Sequence, residues 1–187
     1  MREANQAYVA RNVEAFRSLL TLSKVQPSQI VECFGGMGNQ TRCLRDLYPL
    51  AKHTVFEIDA ECCKAIRKVA KGKAGITQGD FFKLGKRPVC EDSLLVFDSN
   101  VFSLAEANWQ RIKLAFGLGY RWVIGTDHAR GKLHLNYKSY GLSYASRNHY
   151  PSYLELFEEK TREEVGYQIV RAVKAPKSLT YILWEKL

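Results

Sequence analysis

The sequence predicts an α/β fold: a doubly wound, mostly parallel seven-stranded sheet with helices on both faces and a C-terminal antiparallel β-hairpin. Three observations carry that expectation. Helical and strand periods of hydrophobicity alternate along the chain, which calls for parallel strands joined by helices. The stretch Ile30-Val31-Glu32-Cys33-Phe34-Gly35-Gly36-Met37-Gly38-Asn39-Gln40-Thr41 runs from apolar residues through a carboxylate and a glycine cluster into an amphipathic segment. The last two apolar runs are joined only by Lys174-Ala175-Pro176-Lys177-Ser178. That is too short for a parallel crossover, so those strands pair antiparallel.

Each element has its own local reason. Ala7 to Leu22 places Val9, Val13, Phe16 and Leu20 on one helical face, and Pro27-Ser28 separates it from the first strand. The second helix is expected from about Gln40 to Leu50, with Cys43, Leu44, Leu47 and Leu50 inward. His53 to Ile58 forms the second strand, and Asp59 caps a helix from Ala60 to Lys71 that buries Cys62 or Cys63, Ile66 and Val69. A short third strand near Ala74 to Thr77 precedes Gly79-Asp80-Phe81-Phe82. After a polar loop from Gly85 to Asp92, Ser93 to Phe97 is strand four and ends at Asp98. Ser103-Leu104-Ala105-Glu106 is a capping box opening a helix to about Phe116. Gly117 to Gly119 ends it, and Tyr120 to Gly125 is strand five. A second capping box, Ser152-Tyr153-Leu154-Glu155, opens a helix to about Glu164, and Tyr167 to Val173 and Leu179 to Trp184 close the sheet.

The chain has 187 residues, 46% of them apolar, enough for one core, and residues 1–187 are read as a single domain. Within it, 1–26 is an N-terminal helical segment and 127–150 a loop insertion. Met1 to Gln6 is polar and no apolar stretch approaches membrane-spanning length, so a soluble, cytoplasmic protein is expected. Five cysteines without C-x-x-C spacing indicate neither a disulfide framework nor a zinc knuckle. The histidines lack metal-ligand spacing, and no metal is expected. Twenty-eight basic against 19 acidic residues give a formal charge of +9, which points to an acidic partner, nucleic acid first.

The glycine turn lets a ligand lie against bare backbone, and the helix that follows offers free N–H groups. The carboxylate Glu32 beside it disfavours a pyrophosphate and suits a ligand bearing an ammonium group. Glu32 to Gly38, Glu57 at the end of strand two, Gly79-Asp80-Phe81 after strand three and Asp98 after strand four together resemble the successive motifs of class I S-adenosylmethionine-dependent methyltransferases. The resemblance covers roughly residues 29–187 and implies S-adenosylmethionine as cofactor. It implies that Glu32 approaches the methionine ammonium, directly or through water, and that Phe34, Gly35, Gly36 and Gly38 line the methionine and ribose. Glu57, followed by Ile58, would accept from the ribose hydroxyls, and Asp80, followed by Phe81, from the adenine amine. The chemistry of the residues agrees, because a diol suits a bidentate carboxylate and a buried amine needs an acceptor. The rival within this architecture is an NAD(P) enzyme, since Gly36-x-Gly38-x-x-Thr41 matches two fingerprint glycines and Glu57 follows at the expected interval. Thr41 at the third position and Glu32 both weigh against it.

The resemblance places the acceptor against Asp98-Ser99-Asn100-Val101-Phe102. Enzymes that methylate base amines in DNA carry prolines where this chain has Ser99 and Asn100, which puts that reaction in doubt. Cytosine-carbon enzymes need a cysteine after strand four, and Cys90 precedes it. A ribose 2′-O enzyme needs a lysine–aspartate–lysine–glutamate set, which Asp98, Lys132 or Lys138, and Glu185 supply only in part. Asp98, which also borders the cofactor, is the first candidate for the catalytic carboxylate, with Asn100 assisting and His128 as a candidate general base. Residues 127–150 are too long for an ordinary connection. They interleave Arg130, Lys132, Lys138 and Arg147 with Tyr137, Tyr140, Tyr144 and Tyr150, a pattern suited to phosphates and exposed bases. The expected activity is methyl transfer to RNA or DNA. The alternatives are a small-molecule or protein methyltransferase, and a non-catalytic nucleic-acid-binding protein of the same fold.

Overall fold

The computed structural model describes residues 2–83, 89–97, 106–127, 153–175 and 179–187. In chain order the elements are α1 (Arg2–Ser23), β1 (Gln29–Cys33), α2 (Asn39–Leu47), β2 (Lys52–Glu57), α3 (Ala60–Ala70), β3 (Gly75–Gln78), β4 (Ser93–Phe97), α4 (Glu106–Gly117), β5 (Trp122–Asp127), α5 (Tyr153–Val165), β6 (Tyr167–Lys174) and β7 (Thr180–Lys186). The strands form one seven-stranded sheet in the order β3-β2-β1-β4-β5-β7-β6. Pairings from β3 through β5 are parallel, and β7 pairs antiparallel with both β5 and β6. β6 and β7, only five residues apart in sequence, thus give the expected antiparallel closure.

Strand residues alternate between two cores. Val31 and Cys33 of β1 face α4 and α5, where Trp109, Ile112, Phe116 and Phe157 meet Leu95, Phe97, Val123, Ile182 and Trp184. Ile30 faces the other side, with Phe16, Leu19 and Leu20 of α1, Cys43 and Leu44 of α2, and Leu94, Val96, Ile124 and Leu183. The first core is aromatic: Phe116 stands edge-on to Tyr167 and Trp184, with ring centroids 4.6 and 5.6 Å apart.

Two expected core positions differ. Leu50, expected inward on α2, is 98% exposed, because α2 ends at Leu47. Tyr48 precedes Pro49, which disfavours helical backbone, and its φ of −127° has left the helix. Val9 is exposed as well: on α1 the core buries Ala15, Phe16, Leu19 and Leu20, with Val13 partly buried against it, and Val9 lies one turn further out. Of the cysteine pair on α3, Cys63 is the buried one. No helix among the described residues is long and apolar enough to cross a membrane.

Candidate cofactor site

The strand order reverses between β1 and β4: β2 and β3 lie to one side, β4 and β5 to the other. In such sheets a crevice opens at the carboxyl ends of the strands flanking the reversal. Cys33, Phe56 and Phe97 are in register there, so the segments after β1, β2 and β4 leave the sheet side by side. The glycine turn fills this position. Phe34 N and Gly35 N donate to Phe56 O at 2.9 and 3.3 Å, and Gly38 N donates to Gly35 O at 2.9 Å.

The glycines do different things. A Cβ on Gly35 would stand 2.6 Å from Val55 Cγ1, and one on Gly38 2.6 Å from Val69 Cγ2. These two positions let α3 approach the turn. Gly36 has a φ of +50°, and the nearest atom to a Cβ there would be Phe34 O at 3.9 Å. Its backbone is bare toward open space. Phe34 adopts a φ of +62° without being glycine, a strained conformation that tertiary contacts hold in place. Its ring stands edge-on to Phe97, with centroids 5.1 Å apart.

Glu57 ties the turn to the end of β2. Its Oε2 accepts from Gly36 N at 2.8 Å, and its Oε1 accepts from Ile58 N and Asp59 N at 2.7 and 2.9 Å. Ile58 is exposed beside it. Asp59 caps α3 by accepting from Cys62 N at 2.8 Å, and that bond holds its carboxyl below the ordinary range. Asp80, half-buried, accepts from Phe82 N at 3.0 Å through Oδ1. Phe81, expected at the cofactor, is turned into the core, edge-on to Phe56 at 5.3 Å. The carboxylate at the end of β2 thus lies against the backbone of Gly36, and Gly79 N, just before Asp80, donates to Glu57 O at 2.9 Å, which brings the segment after β3 to the same end of the sheet.

Glu32 is placed differently from the other acids. It has no exposed surface, and its Oε2 accepts from Thr41 Oγ1 at 2.8 Å and meets His53 Nε2 at 3.0 Å. It lies beneath the turn, with Thr41 on α2 and His53 at the start of β2. The contacts of Glu32 with Thr41 and His53 carried no sequence signal: Glu32 and His53 sit on one face of neighbouring strands and meet only through the register Ile30 to His53. A cleft of about 190 Å³ lies above, walled by Val9, Asn12 and Val13 of α1 and by the turn from Phe34 to Met37, with Gln40 and Tyr181. It shares Val9, Val13 and Asn39 with a larger groove of about 550 Å³ between α1 and α2. Asn12 carried no sequence signal either.

Burial pushes the Cys33 thiol well up and the Cys43 thiol to about 11, so neither is a nucleophile near neutral pH. No group of three His, Cys, Asp or Glu among the described residues could hold a metal. The expected acceptor-side residues, Asp98, Asn100, His128, Arg130, Lys132, Tyr137, Lys138, Tyr140, Tyr144 and Arg147, lie outside the described residues.

No protein-family model matches the sequence, and no curated protein matches it. Solved structures do match. The methyltransferase domain of bacterial CtHen1-C is 13% identical with a TM-score of 0.61, over 94% of this chain and 97% of that one. TrmN from Thermus thermophilus is 15% identical with a TM-score of 0.58, over 91% of this chain and 48% of that one. Human N-acetylserotonin methyltransferase, solved in complex with S-adenosylmethionine, is 18% identical with a TM-score of 0.61, over 94% and 51%. The chain thus spans about half the length of the last two proteins and nearly all of the CtHen1-C domain. The strand order, the antiparallel closure by β7 and these likenesses agree: the chain has the class I S-adenosylmethionine-dependent methyltransferase fold.

Proposed function

We propose that the chain is an S-adenosylmethionine-dependent methyltransferase acting on nucleic acid. The observation that carries the cofactor assignment is the bond from Gly36 N to Glu57 Oε2. The Gly36 N–H that a pyrophosphate would use is already bonded to the Glu57 carboxylate, so a dinucleotide phosphate at that N–H would bring like charge against Glu57. A cofactor with a ribose diol, an adenine and an amino-acid end but no phosphate fits the same groups. Glu57 and Asp80 offer carboxylate oxygens to hydroxyl and amine donors, Ile58 offers an apolar surface, and Gly36 permits close approach.

When bound, S-adenosylmethionine supplies a methyl group on a sulfonium, which passes to a nucleophile by in-line displacement and leaves S-adenosylhomocysteine. The protein's work is then chiefly positioning, with a proton removed from the acceptor where it carries one. Asp98, directly after β4, is assigned to orient or deprotonate the acceptor, with Asn100 assisting and His128 as a further base. The formal charge of +9 and the basic, tyrosine-rich sequence of residues 127–150 support a phosphate-bearing acceptor.

A small-molecule acceptor is the second reading, favoured by the apolar groove at Val9, Ala10 and Val13 beside the cleft. Incubation with methyl-labelled cofactor and separate pools of DNA, RNA, protein and small metabolites separates the readings. Label is expected in RNA or DNA and lost with Asp98→Ala. Label in the metabolite pool alone would establish the second reading, and label in none would overturn both.

A further inference from the structure

The basic residues of this chain are not all balanced in the same way. On α4 and α5, Lys113 and Lys160 pair with Glu164, and Arg162 pairs with Glu158. Just before β5, Arg121 pairs with both Asp92 and Glu185. Around α3 that balance is missing. Residues 62–79 hold Lys64, Arg67, Lys68, Lys71 and Lys73 and no acid, and each of these cations is exposed. Lys64, Arg67 and Lys68 stand at three- and four-residue intervals, on one helical face. They line a groove of about 700 Å³ together with the apolar Met37, Ala65 and Val69. Among the described lining residues Glu61 is the only acid, and it pairs with Lys64 at 2.6 Å. Arg67, Lys68, Lys71 and Lys73 form no ion pair with a described acid.

We infer that this face of α3 binds single-stranded nucleic acid, with Arg67 and Lys68 on its phosphates and an unstacked base against the apolar part of the groove. This rests on the nucleic-acid reading above and gives the acceptor strand an anchor separate from Asp98 and from residues 127–150. The groove adjoins the cofactor cleft, because Met37, 63% exposed, belongs to both. Charge selects the phosphates: cations without acid partners attract a polyanion, and each phosphate they neutralise releases counterions. The apolar lining selects the single strand, whose free base faces a guanidinium plane or a thioether can cover, whereas a duplex keeps its bases stacked. Arg67 and Lys68, in the last turn of α3, also complement the helix dipole. That role requires neither Lys64, a turn earlier, nor Lys73 beyond the helix, nor the groove.

The test is fluorescence anisotropy of the full chain with a labelled single-stranded RNA of mixed sequence, the DNA of that sequence and its duplex, over a salt series. Arg67→Glu/Lys68→Glu is compared with Arg171→Glu/Lys174→Glu, which makes the same change in net charge on β6, at the opposite edge of the sheet from β3. Thermal melts confirm that each variant is folded. The α3 variant is expected to weaken the single strand by roughly 10-fold or more. It should also flatten the plot of log K against log salt by roughly 1.4, two phosphates at about 0.7 each. The β6 variant is expected to stay within about threefold of wild type, and Arg67→Lys/Lys68→Arg, which keeps both charges, within about twofold. Equal losses in the two charge-reversed variants, or no loss in the α3 variant, would overturn the surface. Duplex bound as tightly as the single strand would overturn the single-strand assignment. Binding of phosphatidylserine vesicles through Arg67 and Lys68, without binding of the oligonucleotides, would overturn the inference in favour of a membrane surface. Wild-type protein that binds neither RNA nor DNA would instead defeat the nucleic-acid reading itself.

Discussion

The two faces of the sheet are built from different materials. On the face of α4 and α5, aromatic rings meet aromatic rings, and the polar group of Trp109 reaches outward to Glu164 at 2.8 Å. On the face of α1 to α3, the packing is mostly aliphatic, and it encloses Glu32, His53 and Thr41 under a turn that includes two left-handed glycines and one left-handed phenylalanine. Buried apolar rings are a direct source of stability, whereas a buried carboxylate is not. The contrast assigns stability chiefly to one face and the site to the other.

The sharpest way to break this division is to damage each face and measure both properties. Trp184→Ala empties a fully buried site on the aromatic face. A loss of about 3–5 kcal/mol is expected in urea unfolding, with S-adenosylhomocysteine affinity per folded molecule unchanged. Smaller effects on stability are expected within the turn. Gly38→Ala combines a φ of +78° with a contact of 2.6 Å to Val69, and should cost about 2 kcal/mol or more of stability. Gly36→Ala meets only open space at a φ of +50°, so it should cost about 1 kcal/mol of stability yet reduce ligand affinity the more strongly of the two. Equal ratios of stability loss to affinity loss in the two variants would contradict the roles assigned to these glycines.

The smallest expected effect concerns acid. Burial alone would raise the Glu164 carboxyl, but the hydrogen bonds from Trp109 and Lys160 outweigh it and hold the carboxyl below its ordinary value of 4.5. A group lowered on folding stabilises the fold above its unfolded value, and that contribution fades as pH falls below about 4.5. Glu164→Gln should therefore lower the melting temperature at neutral pH slightly and flatten its decline on the acid side. An acid-side decline as steep as that of the wild type would remove Glu164 from the account.

The sheet was legible in the sequence because its signals are local. Each strand is a short apolar run, and the parallel part follows from the helices between runs. The antiparallel end follows from the shortness of the segment 175–179 between β6 and β7. The turn itself was readable for the same reason: Glu32, Gly35, Gly36 and Gly38 are neighbours in the chain. Errors came where a local signal was outvoted or absent. Leu50 fits the helical period, but Pro49 had already ended the helix. The pairing of Glu32 with His53 depends on strand register, which no spacing rule reveals.

The central claim is that the cleft binds the methyl donor through the groups around Gly36 and Glu57. Calorimetric titration with S-adenosylhomocysteine tests it most directly, with Glu57→Ala as the paired variant. Glu57 accepts three backbone hydrogen bonds and is assigned to the ribose hydroxyls, so its loss should weaken binding by roughly 10-fold or more. Saturable one-to-one binding by the wild type, weakened in Glu57→Ala, is the predicted result. No binding by the wild type, or undiminished binding by Glu57→Ala, would contradict it.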